Sequence, residues 1–189
     1  LYLGIDLGTG GCKLTVIDPA KGVIADHMVE YATSNPHPGW SEQNPADWAE
    51  AFYTCFEAMR QKTGFNPRDI AALCPDASTH NAVLLGDNDA VLRPCIMWND
   101  QRSFREVNHL LTTYGTRLFE ITYQKCSATW TLPQLLWVKN NEPEIFAGVK
   151  RLAFTKDYLL HLLTGVWRTE SVAAGRSLLV DVEKQARSE

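Results

Sequence analysis

The residues best suited to chemistry stand near the start of the chain, where an apolar run meets a glycine-rich bend. Asp6 lies near the end of that run, and Gly8, Gly10 and Gly11 follow within five positions of it. Glycines leave backbone N–H groups uncovered, and several such groups converging on one point bind anions, above all phosphate. Asp6 adds a hard carboxylate oxygen of the kind that a divalent cation prefers. The spacing predicts a nucleotide-phosphate site.

The spacing of the bend excludes two better-known phosphate loops. A Walker loop requires G-x-x-x-x-G-K-[ST], and a dinucleotide fold requires G-x-G-x-x-G at the start of a helix. The bend Gly8–Lys13 fits neither, and it leads into the strand pattern Leu14–Ile17. We therefore expect a strand–turn–strand hairpin. A hairpin whose glycines serve only the turn stays an alternative, against which Asp6 argues, because a carboxylate buried in an apolar strand without a partner is costly.

Two polar clusters follow apolar runs further along the chain. Ser78–Asn81 comes after the run Ile70–Cys74, which we expect to be a buried strand, and Asn99–Arg102 comes after Cys95–Trp98. In α/β sheets ligands bind beyond the carboxyl ends of strands, so both clusters are candidate sites. Two alternatives stay open: a purely structural hydrogen-bonded histidine, and an aspartate–arginine pair that binds itself or caps the next helix.

The surrounding elements must hold these groups in place. Asn44-Pro45 is typical of a helix start, and Gly64 of its end, with an apolar face between them that should cover a sheet. Alternating runs predict an antiparallel meander of three strands over the first 31 residues. Further helices are predicted at Ser103–Gly115, Leu132–Asn141, Glu142–Phe146 and Asp157–Leu163, with a last strand or edge segment at Ser177–Val182.

Composition excludes several classes of protein. The 189 residues suffice for one domain, and 45% hydrophobic with 21% charged residues is ordinary for a globular chain. A net charge of −4 argues against a nucleic-acid partner. Five widely spaced cysteines without a C-x-x-C pair predict neither disulfides nor a zinc site, which suits a reducing, cytoplasmic setting. No apolar run approaches the length of a membrane span, so we expect no membrane partner.

The motifs in combination resemble a known family. The hairpin is similar to the first phosphate motif of the actin, hexokinase and Hsp70 superfamily. Together with Pro38–Pro45, Trp98–Arg102, Lys156–Leu159 and Leu163–Gly165, it resembles the N-terminal lobe of the FGGY carbohydrate kinases, and within them most resembles the xylulokinases. The resemblance implies an α/β fold: a ribonuclease H-like (actin-like ATPase) domain with a mixed five-stranded sheet, an antiparallel three-stranded meander and flanking helices.

The resemblance also implies roles for particular residues. Asp6 would meet the magnesium ion of ATP, and the phosphates would lie against Gly8, Thr9, Gly10, Gly11 and Lys13. The sugar would lie against Thr79, His80, Trp98, Asp100 and Arg102. One motif departs from the family, because its Gly-Gln-Met-His-Gly reads Ala-Ser-Thr-His-Asn at residues 77–81. The identity of the sugar therefore stays open.

The implied function is ATP- and Mg²⁺-dependent phosphorylation of a ketose, with a sugar and ATP as partners. Residues 1–189 would form an incomplete first, sugar-binding lobe, inactive alone, with the general base and the adenine pocket beyond residue 189 and the C-terminal lobe absent. The resemblance is compatible with a homodimer. Two alternatives stay open: a kinase for another sugar or polyol such as glycerol or ribulose, and a non-catalytic nucleotide-binding module of the same superfamily.

Overall fold

A computed structural model describes residues 1–184 and the backbone of 186–187. The strands are β1 (Tyr2–Leu7), β2 (Gly11–Asp18), β3 (Gly22–Glu30), β4 (Glu42–Gln43), β5 (Ala72–Ala77), β6 (Ala82–Leu85), β7 (Cys95–Ile96), β8 (Arg151–Phe154), β9 (Val180–Asp181) and β10 (Ala186–Arg187). The helices are α1 (Pro45–Thr63), α2 (Phe104–Thr122), α3 (Thr131–Asn141), α4 (Pro143–Gly148), α5 (Thr155–Thr164) and α6 (Ser171–Gly175). Short 3₁₀ turns cover Pro67–Asp69 and Asp87–Asp89.

The first sheet is mixed and has the strand order β3-β2-β1-β5. Strands β1, β2 and β3 form the predicted antiparallel meander, and β5 pairs with β1 in parallel. The α/β class and the mixed sheet are as predicted. The predicted strand number differs, because within the described residues this sheet has four strands instead of five. The later short strands pair among themselves in a second sheet, of order β4-β7-β6-β8.

Helix α1 covers one face of the first sheet. The Asn44 side chain accepts from the Ala46 amide at 3.1 Å, and Gly64 ends the helix in the left-handed conformation at φ 68°. The apolar face of α1 packs on the inward residues of β2 and β3, and each fully buried large side chain contributes about 1.5–3 kcal/mol. The helix and its contacts are as predicted. The core residues include Leu3, Ile5, Leu7, Leu14, Val16, Trp48, Phe52, Cys55 and Met59.

Two predictions were wrong: the burial of one strand and the position at which one helix ends. The run expected as a buried strand forms β5 instead, an edge strand of which Leu73 is 38% exposed. Its only partner among the described strands is β1, so one of its two edges has no neighbouring strand there. Helix α2 passes through Gly115 and ends at Tyr123 in the left-handed conformation. One glycine costs a helix only about 1 kcal/mol, which packing readily overrides.

Other expectations concern cysteines and membranes. All five cysteines are free thiols, as predicted, and four of them are buried. Burial raises the pKa of the Cys12 thiol to about 12, so this side chain behaves as a small apolar group. Among the helices of the described residues, none is long and apolar enough to cross a bilayer.

Candidate active site

The glycine bend is a tight hairpin between β1 and β2. It is closed by a hydrogen bond of 3.0 Å from the Gly8 amide to the Gly11 carbonyl. The Tyr31 hydroxyl donates to the Gly8 carbonyl, and Gln43 Nε2 donates to the Thr9 carbonyl at 2.6 Å. Within residues 1–184, the backbone N–H groups of Thr9 and Gly10 have no acceptor. The bend therefore offers two amide donors to an anion.

Gln43 supports this hairpin from inside the protein, and sequence reasoning missed it. Its side chain is 2% exposed, and Nε2 also donates to Thr33 Oγ1 at 2.7 Å. Its Oε1 accepts from the indole of Trp48 at 2.9 Å. With both ends of the amide occupied, the side chain has one orientation and holds the Thr9 carbonyl in place. Gln43 stands in the polar run Ser41–Asn44 directly before Pro45, and nothing in the sequence distinguishes it from its polar neighbours.

Asp6 lies on the open face of the first sheet. Since side chains alternate along a strand and Ile5 and Leu7 face the core, Asp6 points away from it and is exposed. The prediction of a buried carboxylate was therefore wrong. The register places Lys13 of β2 and Asp76 of β5 directly beside Asp6, on the same face.

An exposed carboxylate beside two open amides suits a divalent cation that is held mainly by phosphate oxygens and water. The described residues contain no group of three or more His, Cys, Asp or Glu side chains that could hold a metal by themselves. The donor set thus fits a magnesium ion brought in with a nucleotide better than a resident metal centre.

The glycines of the hairpin have different constraints. A Cβ on Gly11 would lie 2.7 Å from the Val29 carbonyl oxygen, which real Cβ atoms do not approach. A Cβ on Gly8 would make only ordinary contacts, and one on Gly10 would meet nothing within 4 Å. Gly11 is therefore required by packing against β3, whereas Gly10 leaves space next to an open amide.

His80 lies two residues before the start of β6 and is 7% exposed. Its Nδ1 is 2.9 Å from Thr79 Oγ1, its carbonyl accepts from Thr131 Oγ1 at 2.8 Å, and its ring centroid lies 4.9 Å from that of Trp130. Burial lowers the pKa of His80 to about 4, with a further decrease from Arg176 and an opposing effect of the Thr129 carbonyl. The ring is therefore neutral near pH 7, with one nitrogen as donor and the other as acceptor. The Thr79 side chain is exposed.

Trp98 connects the two candidate regions. The side chain is 43% exposed, and its Nε1 donates to Thr9 Oγ1 at 3.0 Å across 89 residues of sequence. The exposed indole face is free to stack on an apolar or sugar ring. The structure therefore brings the phosphate hairpin and the Trp98 segment together at one place.

Asp100 and Arg102 were predicted to contact a sugar directly, but both are buried. Both side chains are almost fully inaccessible, and three hydrogen bonds of 2.8–3.1 Å join the guanidinium to the Asp100 carboxylate. Asp100 also accepts from the Ser41 amide at 2.6 Å. The structure shows the alternative in which the two residues pair with each other. Their polar atoms are used inside the protein, so any influence on a ligand is through positioning.

The pair belongs to a larger buried network. Arg102 Nη1 and Arg93 Nη2 each contact Glu42 Oε1 at 2.7 Å, and Arg93 Nε lies 2.8 Å from Glu142 Oε2. The Arg102 guanidinium also stacks over Trp40 at 3.8 Å. Charges this buried are tolerated because each one lies within 2.8 Å of a charge of opposite sign.

The chain is similar to known proteins along nearly its whole length. The chain is 35% identical to the xylulose kinase of Lactococcus lactis over 187 residues, which cover 99% of this chain and 37% of that protein. It is also 35% identical to the xylulose kinase of Escherichia coli K12 over 185 residues, which cover 98% of this chain and 38% of that one. The chain thus spans less than two fifths of these relatives.

Two solved structures of kinases are also similar to this chain. A xyloylose kinase from Brucella ovis superimposes with a TM-score of 0.93 at 38% identity, over 99% of this chain and 39% of that one. A xylulose kinase from Rhodospirillum rubrum gives 0.91 at 25% identity, over 98% and 38%. These likenesses confirm the predicted ribonuclease H-like (actin-like ATPase) fold class. The family model for the N-terminal domain of the FGGY carbohydrate kinases matches residues 1–189, and the chain therefore belongs to that family.

Proposed function

We propose that the full-length protein phosphorylates a ketose of the xylulose type with ATP, and that this chain is its N-terminal, sugar-binding lobe. The observation that carries the proposal is the hydrogen bond from Trp98 to Thr9, because it joins an anion-binding hairpin to an exposed aromatic surface. Phosphoryl transfer requires a phosphate donor and a hydroxyl acceptor side by side. The relatives named xylulose kinase support the choice of sugar class.

On the phosphate side, the amides of Thr9 and Gly10 would donate to the terminal phosphates, and Lys13 would add positive charge. Asp6 would hold magnesium directly or through its waters. A bound magnesium ion would neutralise negative charge on the phosphates. The exposure of Asp6 and the two open amides support these roles. The small residues Gly8 and Gly10 would let the phosphates approach the backbone, and Gly11 would support the hairpin through its packing against β3.

On the sugar side, Trp98 would stack on the sugar, and His80 with Thr79 would hydrogen-bond to its hydroxyls. The neutral state of His80 favours this role, because a neutral imidazole both donates and accepts. Asp100 and Arg102 would fix the loop that carries Trp98. Their buried pairing supports a positioning role in place of the direct contact first expected.

We further propose that the general base and the adenine pocket lie beyond residue 189. Within the described residues, Asp100 is fully paired, and Asp157 accepts from the Phe154 amide at 3.0 Å as part of a helix cap. Neither is available to receive a proton from a substrate hydroxyl. A cytoplasmic location and a homodimeric assembly complete the proposal, the former supported by free thiols.

The test is ADP release by the full-length protein with a panel of ketoses and polyols, including xylulose, ribulose and glycerol. We expect the highest kcat/KM with xylulose and strict dependence on magnesium. A higher kcat/KM with glycerol or ribulose would assign the protein to that substrate, as the altered residues 77–81 allow. Nucleotide binding without turnover on any sugar would favour the non-catalytic module and contradict the proposal.

A further inference from the structure

Lys156 lies at the same end of the strands of the second sheet as His80 and Trp98. In the register, Ala82 of β6 pairs both with Ile96 of β7 and with Phe154 of β8. His80 precedes Ala82 by two residues, and Trp98 and Lys156 follow their paired strand ends by two. Since β6 lies between its two partners, the three residues follow the order of these strands at that end of the sheet, Trp98, His80, Lys156, with Lys156 in the first turn of α5; we call this order the row.

A cavity of about 250 Å³ opens beside His80 and Lys156, and Trp98 is outside its wall. Its wall comes from the segment Asp76–His80, from Phe154 and Lys156, and from Glu170, Val172 and Ala173. Three separate parts of the chain therefore contribute polar groups to it. His80 is more than nine-tenths buried at this wall, and its Nε2 makes no well-aligned hydrogen bond within residues 1–184. The volume is near the lower end for ligand pockets, which suits a small molecule.

Lys156 and Glu170 form an ordered ion pair on the wall of this cavity. Lys156 Nζ is 3.0 Å from Glu170 Oε1, and the same carboxylate accepts from the amides of Val172 at 2.7 Å and Ala173 at 2.8 Å. Although burial acts to raise it, these amides and the ammonium hold the pKa of Glu170 below its usual value. The carboxylate is thus an anchored anion that fixes the position of the ammonium.

The pair has unused hydrogen-bonding capacity. An ammonium carries three N–H donors, and within residues 1–184 that of Lys156 is hydrogen-bonded to Glu170 alone. The two side chains are 28% and 39% exposed, so both reach the cavity. A fixed donor beside a fixed acceptor matches neighbouring hydroxyl groups, each of which donates and accepts.

The row also has a direction. At one end Trp98 contacts Thr9 of the phosphate hairpin, and at the other end Lys156 lies beyond β8, across His80. A linear sugar along the row would present its phosphorylated hydroxyl near Trp98. We propose that Lys156 and Glu170 determine specificity by binding two neighbouring oxygen groups at the opposite end of the sugar chain, Glu170 a hydroxyl and Lys156 the hydroxyl or carbonyl oxygen next to it. This inference rests on the proposed sugar kinase function.

The test uses the full-length protein with Lys156→Met, which keeps the apolar stem and removes the ammonium. Losing hydrogen bonds to a charged group predicts a rise of roughly 10- to 100-fold in the Kd for xylulose, measured calorimetrically without nucleotide, and in its KM. The KM for ATP should change less than twofold. Lys156→Arg should restore part of the affinity, and Lys62→Met, an exposed lysine on α1, should bind xylulose as the wild type does.

A shortened substrate separates binding from a structural effect. Dihydroxyacetone lacks the distant hydroxyls, so its KM should be equal in the wild type and in Lys156→Met. If the lysine variant is unfolded in circular dichroism, Glu170→Gln keeps an oxygen for the helix cap and should raise the xylulose Kd alone.

Three results would overturn the inference. They are an unchanged xylulose Kd in a folded Lys156→Met protein, an equal loss for xylulose and ATP, and an equal loss for xylulose and dihydroxyacetone. In each case wild-type turnover on xylulose leaves the proposed function standing. A wild-type protein that neither binds nor phosphorylates any sugar contradicts both proposals.

Discussion

At the scale of single residues, Trp98 would have two roles in the proposed site. Its exposed face is available to a sugar, while its indole N–H is committed to Thr9 on the phosphate hairpin. A movement of one group therefore displaces the other. We infer that sugar and ATP binding are coupled through this hydrogen bond.

A double-mutant cycle tests this coupling. Trp98→Phe keeps an aromatic face without the N–H, and Thr9→Val keeps the size of the threonine without the hydroxyl. Each should lower kcat/KM for ATP. The loss should correspond to a rise of about 0.5–1.5 kcal/mol in activation free energy, the usual range for one hydrogen bond. The double variant should lose no more than either single one, because the same bond is removed once. Additive losses would show that the two groups act independently.

His80 predicts a pH-dependent stability. Its pKa is about 4 in the folded protein against 6.5 for an ordinary histidine, because burial disfavours the charged ring. The unfolded chain therefore takes up a proton below pH 6.5 while the folded protein does not, and stability falls as pH decreases from 6.5 towards 4. Between pH 7 and pH 5 this loss is about 2 kcal/mol.

The measurement compares thermal midpoints of the wild type and His80→Gln at the two pH values. Gln removes the titrating group, so the midpoint of the variant should fall less between pH 7 and pH 5. Equal decreases in both proteins would mean that His80 titrates normally when folded.

At the scale of elements, the β1–β2 hairpin depends on one glycine for its structure and on another for its open space. Gly11→Ala forces a Cβ to within 2.7 Å of the Val29 carbonyl oxygen and should cost about 1–3 kcal/mol or more. Gly10→Ala meets nothing within 4 Å and should leave the thermal midpoint nearly unchanged. A Gly11 variant as stable as the Gly10 variant would contradict the close packing of β2 against β3.

Local signals carried much of the fold. The cap Asn44, the first-turn proline Pro45 and the closing Gly64 act within a few residues of one helix, so α1 could be predicted together with the meander. The exposure of Asp6 and of β5 could not be predicted from the sequence, because it depends on which face of the sheet a distant helix covers. The same limit applies to Asp100 and Arg102, whose partners Ser41 and Glu42 lie 59 and 60 residues away.

At the scale of the whole molecule, one short segment connects the two sheets to the site. The Ser41 amide holds Asp100, Glu42 holds Arg102 and Arg93, and Gln43 holds the Thr9 carbonyl. The loop that carries Trp98 and the phosphate hairpin are therefore positioned by the same three residues. This shared support is the physical reason to assign both to one reaction site.

We propose that the full-length protein transfers a phosphoryl group from ATP to a sugar at this site, and phosphorus NMR of the reaction mixture tests this most directly. Full-length wild-type protein with magnesium, ATP and xylulose should yield a sugar phosphate signal. Asp6→Asn should lower its rate of formation by roughly 100-fold or more, because the charge that holds magnesium is lost, without a change in fold. Asp26→Asn, an exposed carboxylate on β3, is the matched control and should behave as wild type. No sugar phosphate from the wild type, or equal rates from wild type and Asp6→Asn, would contradict the claim.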